Sequence, residues 1–255
     1  MKAPMRRRGF LLLAGLWTAA SGCSGQAVPP GPAARSKPAP TVKPAPTPPA
    51  PAPRRLPPEV AHGPRNRPLV ALTFHGAGPR RLAEQVLAAI ERAGGAATIL
   101  AVGTWLDQYP AIARRILDGG HDLGNHTQHH LDISAMDASA AREEIEECAA
   151  RLRALTGSAG SWFRPSASRV ATQLIRRLSA DAGYRTCLSY DVDSLDYTDP
   201  GPAAVTANVL SAVRPGSIIS LHLGHPGTAD ALPAMLDGLK RKGLRPVTMT
   251  ALLAP

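Results

Sequence analysis

The chain has 255 residues, with 29 Lys or Arg against 19 Asp or Glu and a pI near 10.2. Such a balance suits a nucleic-acid partner only if the excess sits on one folded face. Eleven of the basic residues and one acid, Glu59, precede Pro68; from there on eighteen bases meet eighteen acids, so the foldable part is neutral and no nucleic-acid partner is expected.

Lys2, Arg6, Arg7 and Arg8 precede an apolar stretch from Phe10 to about Ala20, too short to span a bilayer and patterned as an export signal. Ala20-Ser21-Gly22-Cys23 resembles a bacterial lipobox with Ala where Leu is commoner. Residues 1–23 are therefore read as a lipoprotein signal peptide, with ordinary signal-peptidase cleavage as the alternative. Arg7 to Leu12 also resembles the twin-arginine export pattern. Acyl chains on Cys23 would hold the exported chain on the cell membrane, facing the cell wall.

Residues 24–67 carry fourteen of the 26 prolines. With few apolar side chains to bury, this stretch favours extended polyproline II and reads as a disordered spacer reaching on the order of 100 Å.

From Pro68 short apolar runs alternate with longer amphipathic stretches. Strands are predicted at Leu69–Phe74, Ala97–Val102, His121–Gly124, Trp162–Arg164, Thr186–Tyr190, Ile218–His222 and Arg245–Val247. Helices are predicted near Arg80–Ala93, Pro110–Asp118, Ala138–Leu155, Val170–Ala182, Ala203–Ala212 and Ala229–Lys242. Gly94, Gly119, Gly157, Gly183 and Gly243 follow helix ends, where a left-handed cap is needed. Seven strands alternating with helices predict a parallel α/β sheet, closed or nearly so, with its chemistry at the C-terminal strand ends. Cys148 and Cys187 could pair or remain buried thiols.

The strongest chemical signal is Gly124-Asn125-His126-Thr127-Gln128-His129-His130. On a helical turn, His126 and His130 would present two nitrogens to one metal ion, while His129 would point elsewhere.

Around these residues, positions 68–255 resemble the NodB-type polysaccharide deacetylases, carbohydrate esterase family 4. The family's H-[ST]-x-x-H motif is met by His126, Thr127 and His130. Its arginine-bearing strand end appears as Phe163-Arg164-Pro165-Ser166, without the usual aromatic. D-x-x-D-W appears as Asp193-Ser194-Leu195-Asp196-Tyr197, with Tyr for Trp, and L-x-H as Ile219-Ser220-Leu221-His222. The resemblance implies a distorted (β/α)7 barrel and a monomer that binds a divalent metal, zinc above others. It implies a polysaccharide substrate, with removal of N-acetyl groups from N-acetylglucosamine units as in peptidoglycan or chitin. His222 is then the proton donor to the leaving amine, Asp196 holds His222 or Arg164, and Tyr197 stacks on sugar, whereas Trp105 is expected in the core.

The departure is in the first motif. The family has T-F-D-D-G-P, its first Asp a general base and its second a metal ligand; this chain has Thr73-Phe74-His75-Gly76-Ala77-Gly78-Pro79. Two histidines fall short of the three protein ligands usual for catalytic zinc. His75 could supply the third, or act as the base, kept unprotonated by a neighbouring Arg164. His225 is a spare candidate ligand. A silent carbohydrate-binding module, or a hydrolase of O-acetyl groups or other amides, are the alternative functions.

Overall fold

The structure, a computed structural model, describes Gly31 and residues 56–255. The export signal, Cys23 and most of the Pro-rich stretch lie outside the described residues. In chain order the elements are β1 (Glu59–Val60), β2 (Leu69–Gly76), α1 (Arg80–Arg92), β3 (Thr98–Ala101), α2 (Gly103–Gln108), α3 (Ala111–Asp118) and β4 (Asp122–Asn125). There follow α4 (Ala138–Thr156), α5 (Gln173–Asp181), β5 (Cys187–Leu188), β6 (Val192–Asp193), α6 (Pro202–Ala212), β7 (Ile218–His222), α7 (Pro226–Arg241), β8 (Arg245–Val247) and α8 (Met249–Leu253).

The continuous apolar run Val70-Ala71-Leu72, followed by Thr73 and Phe74, is wholly buried, as a parallel strand covered on both faces must be. β2 lies between β3 and β7, β4 flanks β3, β6 flanks β7, and β8 joins the start of β2. All these pairings are parallel. The amphipathic helices cover the sheet: Val86, Leu87 and Ile90 of α1 pack in one core with Leu232, Met235 and Leu239 of α7.

The expected strand Trp162–Arg164 forms no ladder. Phe163 makes single parallel bridges to Asn125 and to Cys187. The expected strand Thr186–Tyr190 is likewise reduced to β5, and β6 begins after a break. Leu188 N–H bonds Phe163 C=O, but Pro165 brings no N–H to continue the ladder, and the Arg164 guanidinium donates instead to the carbonyls of Leu188 at 3.1 Å and Ser189 at 3.2 Å. The order β5, Phe163, β4, β3, β2, β7, β6 is thus joined at its ends by residues 189–191 of the chain itself rather than by a ladder. This is the distorted form of the predicted parallel architecture.

The spacer does not extend to Arg67. β1 pairs with β5, Gly63 N–H donates to Gly216 C=O at 2.7 Å, and Arg65 meets Asp191 at 2.7 Å. Arg67 donates to the carbonyls of Leu252 and Ala254. Proline content hid this segment: a two-residue strand has no readable period, and its hold comes from partners more than 100 positions away. Four of the five predicted caps are left-handed; after α3 that role falls to Gly120, at φ 76°, and not Gly119. Cys148 and Cys187 are both free and buried. Burial pushes the Cys148 thiol up to about 12 and raises that of Cys187.

A chain beginning at Pro68 should therefore melt on the order of 5–10 °C below one beginning at Leu56, since it loses the β1 pairing and the Arg65–Asp191 bridge. Calorimetry decides the matter, and equal melting temperatures would return residues 56–67 to the spacer.

Candidate active site

Strand register assembles the site. His75 of β2 lies beside His222 of β7, and Ala101 of β3 beside Asn125, the last residue of β4. The C-terminal ends of β2, β4 and β7 therefore bring His75, His126 and His222 together. Ring centroids of His75 are 4.3 Å from His126 and 4.2 Å from His222; His126 and His130 are 4.8 Å apart.

The segment 126–130 is not helical, contrary to the expectation from its spacing. Thr127 and His130 are left-handed, at φ 68° and 59°, a conformation costing roughly 1–2 kcal/mol per non-glycine residue. Side chains outcompete the helical pattern. Asn125 Oδ1 accepts from Thr127 N–H at 2.8 Å, Thr127 Oγ1 from His130 N–H at 3.2 Å, and Glu144 from His129 N–H at 2.9 Å. His130 still reaches His126, but through a loop tied to α4. His129 points away, as expected, and its Nδ1 lies 2.6 Å from Glu144.

His126 Nδ1 donates to the Arg164 carbonyl at 2.9 Å, which fixes the tautomer and leaves Nε2 with a lone pair. That Nε2 is buried and unpartnered, a state costing about 1–3 kcal/mol unless something else binds it. One nitrogen each from His75, His126 and His130 lie within 4.8 Å of one another. This all-nitrogen set fits a divalent transition metal, and a carbonyl holding the far side of a ligand histidine is the usual support. His225 is not part of the cluster; its Nδ1 meets Asp199 at 2.8 Å.

Arg164 is fully buried and makes no ion pair with a carboxylate among the described residues. It donates to Thr73 Oγ1 at 2.9 Å and to His75 Nε2 at 3.2 Å besides the two carbonyls of the β5 edge. Burial draws it down to about 10. His75 is held well below its usual value, first by burial and then by His126, His222 and Arg164, so its ring is neutral. A guanidinium only donates, so Nε2 of that ring accepts and Nδ1 carries the proton. Ser220 Oγ lies 3.4 Å from the same Nε2.

Gly76 offers no place for a carboxylate. A Cβ there would stand 2.9 Å from Ala101 Cα and 3.1 Å from the Trp105 ring. Trp105 is in the core as expected, with its indole N–H on Gly78 C=O at 2.8 Å.

Asp196 serves His222 and not Arg164. One oxygen takes His222 Nδ1–H at 2.7 Å; the other accepts from His222 N–H at 2.7 Å and Thr228 Oγ1 at 2.6 Å. Burial alone would raise this carboxyl, but the hydrogen bonds from His222 and Thr228 outweigh it and hold it below the usual range. His222 Nε2 is left facing the cluster. Tyr197, half exposed, stands edge-on to His222 at 5.6 Å. A cavity of about 280 Å³ opens here, lined by His75, His130, Tyr197, Ser220 and His222 among others. A larger hollow of about 580 Å³ beside Gly94 and Lys240 contains none of these side chains. Thr228 and Ser220 were not foreseen: a single hydroxyl in a first helical turn or an apolar strand carries no spacing signal.

Because Asp196 is held low, its contribution to stability is complete above the unfolded carboxylate value of about 3.9 and fades as pH falls through the depressed folded value. Asp196→Asn should lower stability at pH 7 by about 1–3 kcal/mol and flatten the acid limb of the melting profile. Parallel profiles for the two proteins between pH 3 and 7 would show that the pair carries no such energy.

Residues 62–187 match the family model described as polysaccharide deacetylase. A chitooligosaccharide deacetylase of Rhizobium leguminosarum bv. trifolii is 31% identical over 195 residues, 72% of this chain and 82% of that one. An uncharacterised Bacillus subtilis protein, YlxY, is 26% identical over 197 residues; the match takes in 77% of this chain and 61% of YlxY. Among solved structures, a peptidoglycan N-acetylglucosamine deacetylase bound to a naphthalenyl N-hydroxybenzamide superposes with a TM-score of 0.71 at 28% identity, over 76% of this chain and 92% of that one. Although its first-motif carboxylates are replaced, the chain belongs to the polysaccharide deacetylase family.

Proposed function

We propose that the chain is a metal-dependent hydrolase that removes N-acetyl groups from N-acetylglucosamine units of a cell-wall or related polysaccharide. The observation that carries this reading is the buried, unpartnered Nε2 of His126 beside His75 and His130, across from the free Nε2 of His222. The names of the relatives, which act on chitooligosaccharide and peptidoglycan, support the same chemistry.

His126 and His130 would hold the ion, with His75 as third nitrogen; an ion so held acidifies a bound water and polarises the amide carbonyl. His75 can join only by turning its acceptor nitrogen from Arg164, or by passing its proton to Nε2, where Ser220 Oγ is the acceptor at 3.4 Å. The remaining work belongs to His222. With Nδ1–H fixed on Asp196, only Nε2 is free. It takes the proton that water loses on attack and returns it to the amine as the C–N bond breaks, giving acetate and a free glucosamine nitrogen. Asp196 stabilises the imidazolium in between. Tyr197 offers a ring face to the sugar. Export and anchoring through Cys23, with residues ahead of the fold as a spacer, would carry the site to the wall polymer.

Elemental analysis after dialysis should find bound metal in the parent and in His222→Ala, and little in His126→Ala/His130→Ala. Acetate release from N-acetylglucosamine oligomers and peptidoglycan should fall about 10²–10⁴-fold in His222→Ala and vanish in the double variant. A parent that binds these glycans without releasing acetate would make the chain a silent binding module instead.

Changing Cys23 to Ala should move the protein from the membrane fraction to the soluble one after export. If it sediments with membranes as before, the anchor lies elsewhere.

A further inference from the structure

The cavity that holds the proposed chemistry also carries a cation without a counter-ion. Arg169 forms part of its wall. The guanidinium donates through Nε at 3.3 Å and Nη2 at 2.9 Å to the Tyr190 carbonyl, and its carbon lies 4.9 Å from the centre of the Tyr190 ring. These contacts aim the fork while leaving Nη1 and part of Nη2 free. No carboxylate lies within 4.0 Å of it among the described residues, and none of the residues lining the cavity is acidic. Asp193 is already engaged by the Tyr190 hydroxyl at 3.3 Å and by Leu195 N–H at 3.0 Å.

The local sequence explains the opening. Ser166-Ala167-Ser168 are small, and Ala167 is left-handed at φ 53°. Such strain persists where surrounding structure dictates the turn, commonly at ligand sites. The other guanidinium near the Tyr190 ring, Arg164 at 5.3 Å, is buried and also lacks an anion. Asp196, the carboxylate bound to His222, is consumed by that residue and Thr228. A forked donor already fixed in place loses little freedom on taking a carboxylate in two parallel hydrogen bonds.

We propose that Arg169 determines specificity by binding a carboxylate carried by the substrate glycan, on the acetylated sugar or the one beside it. The proposal rests on the deacetylase reading and narrows it from neutral N-acetylglucosamine polymers to acidic ones. Two sources share this chemistry: an ether-linked lactyl group and a uronic acid.

The test compares kcat/KM for acetate release from neutral N-acetylglucosamine oligomers, from peptidoglycan glycan strands with free lactyl carboxylates, and from hyaluronan oligomers, whose carboxylates are uronates. Parent, Arg169→Lys and Arg169→Met are assayed, and the lactyl strands are also offered after amidation. The preferred acidic glycan identifies the source. Arg169→Met should lower the ratio of acidic to neutral kcat/KM about tenfold, chiefly through KM, with Arg169→Lys between. Amidation should erase the parent's preference to the same extent. A ratio unmoved by Arg169→Met overturns the proposal. If the parent releases acetate from none of the glycans, the deacetylase reading fails. Calorimetric Kd values for the same glycans then decide the anion site: about tenfold weaker acidic-glycan binding in Arg169→Met sustains it, and equal values sink it.

Discussion

Everything at the site depends on the register in which β2 lies between β3 and β7. Parallel pairing sets His75 level with Leu100 on one side and His222 on the other, and the period of two sends neighbouring side chains to opposite faces. His75 therefore turns into the cluster of histidines, and position 76 turns toward Ala101 and Trp105. Glycine is what that close approach admits. A carboxylate at 76 would first need the β3 backbone to move, so the nitrogen-rich site is built into the packing of the sheet as well as into the loss of two acids.

Charge follows from the same replacement. Arg164 remains fully buried where a family member would set an Asp beside it, and its positive charge meets only neutral acceptors. Such burial is unfavourable unless the hydrogen bonds are numerous; here four donations to three carbonyl or hydroxyl oxygens and one imidazole supply them. The neighbouring histidines are kept neutral, first by burial and then by mutual repulsion. A neutral imidazole is the form that ligates a metal. Three neutral donors would leave the charge of a bound dication uncompensated, which would make the cavity attractive to anions.

Rigidity comes from pairs that cross between loops. Asp196–His222 and Asp199–His225 both join the loop after β6 to the end of β7. On the other side, Glu144 of α4 receives both the backbone and the ring of His129, so the loop bearing His126 and His130 is fastened from behind. Two of the left-handed residues, His130 and Ala167, line the cavity.

Much of this was legible in the residues themselves. The alternation of apolar runs with amphipathic stretches specified a parallel α/β sheet, because burial on both faces leaves continuous hydrophobic strands. The spacing of His126 and His130, and the motifs holding Arg164, Asp196 and His222, marked the chemistry, because side chains with lone pairs or charges are dear to bury and cluster only for use. Long-range contacts decided the rest. That Asp196 serves His222 and not Arg164, that His225 belongs to Asp199, that 126–130 is a tied loop rather than a helical turn, and that residues 56–67 join the fold all depend on partners distant in sequence. So does the break between β5 and β6, where Arg164 donates to the carbonyls of Leu188 and Ser189. Periodicity and composition report what a residue prefers among its neighbours; strand register and side-chain direction, which set which lone pair faces which proton, exist only once the sheet has formed.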